Sequence, residues 1–161
     1  MIKKSLILIF TLISAQINSQ TLKVSESSFL YLDNGSNLTI NDLSITPSSP
    51  LVIGPNLISV SMTSVEINSQ PSIKKLYVFE SPIPNFQGKI AFTFSEESLN
   101  NLDASDLTFE LLGEDGNWNS YTASIDTVNN IISYIFDSPI SLSNITARES
   151  QSDPLSIERR K

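Results

Sequence analysis

The first chemistry that this sequence could support is a serine nucleophile, because serine is abundant along the chain. A serine hydroxyl needs a base to take its proton, and the sequence contains no His and no Cys. A carboxylate or a lysine would have to serve instead. The candidate lysines all fall in strand-like segments: Lys23, Lys74, Lys75 and Lys89. We therefore predict no catalytic residues and no enzyme activity.

Pairs of carboxylates are the second candidate, because glycoside hydrolysis needs two acids on either side of the bond that is cleaved. Three pairs are close in sequence: Glu96/Glu97, Asp103/Asp106 and Glu114/Asp115. All three fall in predicted loops, where acidic residues usually solvate turns or cap helices. A structural role is therefore favoured for each pair.

Calcium binding is the third candidate, because Asp, Asn and backbone carbonyls supply the oxygen ligands that this ion prefers. Two turns offer such groups, at residues 33–37 and 114–117. Neither turn has the spacing of a defined calcium loop. The sequence therefore predicts ordinary turns, no metal site and no cofactor, with calcium left open as an accessory to a binding role.

Three aromatic residues form the candidate ligand platform: Trp118, Tyr121 and Tyr134. Exposed aromatic rings of this kind can stack on a sugar ring. A Trp at the start of a strand also commonly seals the edge of a sandwich core, and this second interpretation is favoured. Exposure of Trp118 beside either tyrosine would favour the binding role.

The elements that must position these residues are β-strands. Short stretches rich in Val, Ile, Thr, Phe and Tyr alternate with clusters of Asn, Asp, Gly, Ser and Pro. No stretch of a dozen residues has a sustained helical period. In the clearest strand, at residues 89–94, Ile90, Phe92 and Phe94 fall on one face and Lys89 on the other. This pattern is typical of a sandwich or barrel.

The fold class predicted from these segments is all-β, an antiparallel β-sandwich of immunoglobulin-like or jelly-roll-like type. Residues 131–136 form an almost continuous apolar run, which predicts a central strand buried on both faces. The proline-containing segments 81–85 and 137–139 predict breaks in the sheet. One short helical turn is predicted near residues 95–102, where Ser95 can cap the turn.

The first twenty residues have the layout of a signal peptide. Lys3 and Lys4 precede an uncharged run at residues 5–15, which is too short for a transmembrane helix of about 20 residues. The predicted domains are a signal peptide (1–20), an N-terminal β segment within or annexed to the sandwich (21–70), the sandwich core (71–147) and a polar tail or linker (148–161). We expect the cleaved protein to have no membrane span.

The net charge limits the partners of the exported chain. Loss of Lys3 and Lys4 with the signal peptide takes the formal charge from −7 to −9. A chain this acidic repels phosphate backbones, so we expect no nucleic-acid partner. A surface glycan or another envelope protein is the expected class of partner, and the oligomeric state stays open.

The order of features along the chain resembles a domain of secreted proteins from Bacteroidetes, especially flavobacteria. The N-terminal part resembles the opening of those proteins from Leu30 through Pro47. The rest of the resemblance is carried by Tyr77-Val78-Phe79, Gly88-Lys89-Ile90-Ala91-Phe92, Glu97-Ser98-Leu99-Asn100, Leu107-Thr108-Phe109-Glu110, Trp118, Asp126-Thr127 and Ile145-Thr146. Such proteins are often cargo of the type IX secretion system and end in a sorting domain. This chain stops where that domain would begin, so either the sequence is truncated or another route is used.

These observations predict an exported, non-catalytic β-sandwich module with a structural or binding role at the bacterial cell envelope. The expected location is secreted or at the cell surface, with the periplasm as the alternative. The alternative function is a carbohydrate-binding or adhesive domain that uses exposed aromatic residues, with or without calcium.

Overall fold

The computed structural model describes residues 21–150, so the predicted signal peptide and the last eleven residues lie outside the described part. That part contains fifteen strands and one 3-10 helix, at Ala104–Asp106. In chain order the strands are β1 (Leu22–Val24), β2 (Leu30–Leu32), β3 (Leu38–Ile40), β4 (Leu43–Pro47), β5 (Leu51–Ile53), β6 (Asn56–Ser61), β7 (Glu66–Ile67), β8 (Gln70–Pro71), β9 (Leu76–Phe79), β10 (Ile83–Thr93), β11 (Leu107–Leu112), β12 (Trp118–Thr122), β13 (Ser124–Asp126), β14 (Ile131–Leu142) and β15 (Ile145–Glu149).

Two antiparallel sheets pack against each other, which confirms the predicted β-sandwich. The larger sheet has six strands in the order β1-β6-β9-β15-β11-β12, and the smaller has five in the order β13-β14-β10-β4-β3. Two short ribbons, β2–β5 and β7–β8, complete the fold. Residues 21–70 thus contribute strands to both sheets.

The core lies between the two sheets and follows the alternation of side chains along each strand. In β10, Ile90 and Phe92 are buried and Lys89 is exposed, as predicted for residues 89–94. From the facing sheet, Tyr77 and Phe109 fill the same space, and the Tyr77 and Phe92 rings lie 5.2 Å apart. Each apolar side chain buried in this way contributes about 1.5–3 kcal/mol to folding.

The chain passes between the two sheets at a corner between β14 and β15. Asn144 holds this corner, since its side-chain oxygen accepts a hydrogen bond from the Phe79 N–H at 2.9 Å. Its backbone carbonyl accepts another from the Leu112 N–H, also at 2.9 Å. One residue thereby ties together β9, β11 and the last strand of the described chain.

The break predicted at 81–85 is present only at residues 80–82, between the end of β9 and the start of β10, and Pro84 lies inside β10. The break predicted at 137–139 is wrong, because these residues lie inside β14. Both strands have bulges here. Pairing of Phe86 with Ile140 and of Gly88 with Phe136 leaves one residue of β10 opposite three of β14. Bulged positions need no regular ladder hydrogen bond, so they accommodate proline.

The prediction that residues 131–136 are buried on both faces is also wrong. Ile132 and Phe136 point into the core, whereas Ile135 is 57% exposed on the outer face of β14. The apolar run alone could not distinguish a strand covered on both sides from one covered on a single side.

The helical turn predicted near residues 95–102 is a set of hydrogen-bonded turns, followed directly by the 3-10 helix. The Leu99 N–H bonds the Ser95 carbonyl at 3.0 Å, and the Ser95 hydroxyl accepts from the Ser98 N–H at 3.2 Å. Ser95 therefore caps the turn, as expected from the sequence. Within residues 21–150, no helix has the length and apolar character that crossing a bilayer requires.

Gly88 permits the close contact between β10 and β4, and its replacement by alanine should strongly destabilise the protein. The φ angle of Gly88 is +140°, and an added Cβ would overlap the Thr46 carbonyl oxygen and lie 2.8 Å from the Pro47 Cα. We expect Gly88→Ala to lower the free energy of unfolding by more than about 2 kcal/mol. Urea denaturation measures this change.

Gly54→Ala is the matched control, because no atom lies within 4 Å of the added Cβ and the φ angle of Gly54 is not positive. Its effect should stay within about 0.5 kcal/mol. Equal losses in the two variants would contradict the packing assigned to Gly88.

Candidate functional site

The three residues of the predicted aromatic platform do not all meet. Residues 118 and 121 are separated by three positions on a strand without a bulge, so their side chains point to opposite faces of the sheet. Trp118 lies half-buried on the outer face, paired across the strands with Leu112. Tyr121 points inward from the same strand and is paired with Phe109.

The structure does bring Tyr121 and Tyr134 together, one from each sheet. Their ring centroids lie 4.8 Å apart, and the Tyr121 ring also contacts Phe136 at 5.1 Å. Burial, followed by the neighbouring Tyr134, raises the pKa of Tyr121. Tyr121 remains half-exposed because β12 is an edge strand, so one side of a rigidly held ring faces solvent.

A groove opens beside the exposed side of this ring, between the edge of the larger sheet and the bulged ends of β10 and β14. We call it the Tyr121 groove; it has a volume of about 400 Å³. The polar side chains that line it belong to Asn85, Glu114, Asn119 and Ser141. This volume falls within the range of small-molecule sites.

These four polar side chains are free to bind a ligand. Within residues 21–150, none of them forms a hydrogen bond with the protein. Asn119 lies on the inner face of β12, two positions before Tyr121 and opposite Leu111, where a sandwich strand usually carries an apolar residue. The groove therefore places unpaired amide, hydroxyl and carboxylate groups beside an aromatic ring.

One wall of the groove is a rigid turn between β11 and β12. The Asp115 carboxylate accepts hydrogen bonds from the side chain of Asn117 at 2.9 Å and from its backbone N–H at 3.0 Å, and these bonds lower the pKa of Asp115. Gly113 lies close to both side chains, since an added Cβ would be 2.6 Å from an Asp115 oxygen and 2.7 Å from the Asn119 amide nitrogen, and these side chains would have to move. The turn thus brings Glu114 and Asn119 to one wall of the groove.

The opposite wall is the bulged part of β10 and β14. Asn85 has a positive φ angle of 58°, in the left-handed region that non-glycine residues seldom adopt. Pro84 and Pro139 flank the groove and restrict the backbone further. Bulges often redirect side chains beside functional sites. Here the bulges bring Asn85 and Ser141 to the groove.

A second polar cluster lies at the other end of the sandwich, around Asp42 in the turn between β3 and β4. Its carboxylate accepts hydrogen bonds from the Tyr77 hydroxyl at 2.6 Å, from Lys75 Nζ and from the Thr93 hydroxyl. Lys75 also donates to the Thr93 carbonyl at 2.7 Å. Because these donors saturate the carboxylate, the cluster joins β4, β9 and β10 rather than offering a free base.

A third polar cluster is buried on the outer face of the larger sheet. Arg148 Nε lies 2.9 Å from Glu110 Oε1, and the Ser120 hydroxyl donates to the same oxygen at 2.7 Å. Arg148 also donates to Gln70 at 3.2 Å, so the β7–β8 ribbon takes part in the cluster. Glu110 is 0% exposed and Arg148 is 5% exposed. Glu110 therefore neutralises a buried arginine.

In the two turns considered for calcium, the aspartates form hydrogen bonds within their own turns. Asp33 accepts the Asn34 N–H at 2.8 Å, and Asp115 bonds Asn117 as described above. Across residues 21–150, no group of three or more His, Cys, Asp or Glu side chains is placed to hold a metal ion.

Sequence reasoning identified Tyr121 but missed the polar residues of the groove. Asn119 could have been found from the sequence, because it lies two residues before Tyr121 on the same strand. Its side chain therefore points to the same inner face, where Tyr121 pairs with Phe109. Asn85 and Ser141 carried none, since their positions depend on how far the bulges shift the pairing of β10 with β14.

Comparison with known proteins adds no relative. No protein-family model matches the chain, and neither a curated protein nor a solved structure is significantly similar to it.

The Asp42 cluster predicts a specific loss of stability in acid. Burial raises the pKa of Asp42, but hydrogen bonds from Lys75, Thr93 and Tyr77 and the charge of Lys75 outweigh burial, so the pKa lies below its ordinary value. Its contribution to stability is therefore present above about pH 4, the ordinary aspartate pKa, and is lost as pH falls from there through the folded-state pKa.

Urea denaturation between about pH 7 and pH 2 checks this prediction by comparing the native chain with Asp42→Asn. The variant should be less stable at neutral pH, and the difference between the two proteins should shrink as the pH falls below 4. A difference that stays constant with pH would contradict the ionised, hydrogen-bonded state assigned to Asp42.

Proposed function

We propose that this protein is an exported, non-catalytic β-sandwich module that binds a component of the bacterial cell envelope. Its location is the cell surface or the medium, with the periplasm as the alternative. The cationic start and short apolar run of residues 1–20 support export. The binding part of the proposal rests on the Tyr121 groove.

The observation that carries the proposal is the set of unpaired polar groups beside a fixed aromatic ring. Asn85, Glu114, Asn119 and Ser141 converge on one groove, and the protein itself satisfies none of their side chains within residues 21–150. The hydrogen-bonded turn and the two prolines restrict the backbone around the groove, which reduces the entropy lost on binding. These features support recognition of a ligand with little movement of the backbone.

The charges around the groove support binding rather than turnover. Among the described residues that line it, Glu114 supplies the single carboxylate, whereas glycoside hydrolysis needs two facing acids. Elsewhere, Asp42 and Glu110 are paired with Lys75 and Arg148. Within residues 21–150, these two paired carboxylates thus stabilise the fold, whereas the side chains of the groove can form hydrogen bonds with a ligand.

Sedimentation with isolated envelopes of the source organism tests the proposal. The protein is purified as the cell exports it, and the double variant Asn85→Gly/Asn119→Ala removes two groove amides. Glycine accepts the positive φ angle of Asn85, so the fold should be unchanged. Loss of two hydrogen bonds should weaken binding about tenfold.

The matched control is Asn101→Gly/Thr122→Ala. Asn101 is another exposed asparagine with positive φ (67°), beyond the far end of β10, and Thr122 lies on the opposite face of β12 from Asn119. The control should bind like the native protein. Equal binding by both double variants would contradict the groove as the binding site. An exported form that begins at Met1, as determined by mass spectrometry, would contradict signal cleavage.

A further inference from the structure

We propose that the ligand of the Tyr121 groove is a neutral saccharide, bound as one or two sugar rings of an envelope glycan. This inference rests on the proposed binding function of the groove and names its ligand class. The site differs from the aromatic platform predicted from the sequence, since Trp118 has no part in it and the amides of Asn85 and Asn119 do.

The charges of the groove argue for a neutral ligand. Among its described lining residues there is no Lys or Arg, so a phosphate, sulfate or uronic acid would find no cation to bind. Glu114 adds a negative charge that would repel such groups. A calcium ion is disfavoured as well, because it takes six to eight oxygen ligands and one carboxylate lines the groove.

The hydrogen-bonding groups match a ligand that is rich in hydroxyls. Each asparagine amide offers both donors and acceptors, the Ser141 hydroxyl does the same, and Glu114 accepts. A sugar ring presents hydroxyls that donate and accept around its edge. The four side chains of the groove can therefore be satisfied together by one small polyhydroxylated molecule.

Tyr121 supplies the aromatic surface of the site. Contacts with Tyr134 at 4.8 Å and Phe136 at 5.1 Å hold its ring in place, while one side remains exposed. A sugar ring has a C–H face that needs such a surface, with polar groups at the edge. The volume of about 400 Å³ lies at the low end for ligand sites, which sets the limit of one or two rings.

Selective destruction of envelope components tests the ligand class. Envelopes are oxidised with periodate, which cleaves the vicinal diols of sugar rings, or digested with proteinase K. Binding of the exported protein is then measured by sedimentation. We expect periodate to weaken the binding that depends on Asn85 and Asn119 by about tenfold. Proteinase K should change this binding by less than about twofold.

Loss of binding after proteinase K alone would overturn the saccharide inference and leave the proposed binding function intact. If both treatments abolish binding, the soluble proteinase K digest is added as a competitor to untreated envelopes. Competition by the digest would support a glycan on a protein, and no competition would overturn the inference. Insensitivity of binding to Asn85→Gly/Asn119→Ala would overturn both proposals.

Salt dependence tests the neutral character of the ligand separately. Binding should change less than about twofold between 50 and 500 mM sodium chloride, because screening weakens only contacts between charges. Tyr121→Leu should bind more weakly than Tyr121→Phe, since the leucine variant loses the flat ring and the phenylalanine variant keeps it. Strong salt dependence, or equal binding by the two Tyr121 variants, would overturn the inference.

Discussion

The packing of Phe136 between the two sheets is the interaction on which the rest of the structure depends. Its ring lies 4.8 Å from Tyr134, 5.1 Å from Tyr121, 6.0 Å from Phe109 and 6.1 Å from Phe86. Edge contacts of this kind contribute about 0.5–1.5 kcal/mol each beyond the burial of area. The same contacts join the sheets and hold Tyr121 at the groove.

The polar residues divide into two groups with different roles. Asp42 and Glu110 are tied to cations and hydroxyl groups, and they add polar links between strands that already pair or pack together. The groove residues have no such partners within residues 21–150. Exposed polar groups are normally hydrated, so the feature that points to an external ligand is their convergence with an aromatic ring on one concave groove.

Much of the fold followed from the alternation of side chains, and most of the site did not. The alternating pattern of residues 89–94 predicted the inner face of β10 correctly. Two features escaped: the bulges that carry Pro84 and Pro139 inside strands, and the pairing of strands that are distant in sequence. The same alternation rules out the predicted platform with Trp118, because Trp118 and Tyr121 are three residues apart and their side chains point to opposite faces of the sheet.

Mapping of the bound ligand by NMR is the most direct test of saccharide binding in the Tyr121 groove. The exported protein is titrated with the glycan fraction released from the source envelopes, and the side-chain amide signals of asparagine are followed. We expect the signals of Asn85 and Asn119 to shift together while that of Asn101 stays in place. Shifts confined to the outer face around Trp118, or to the exposed Tyr31 of the β2–β5 ribbon, would contradict it.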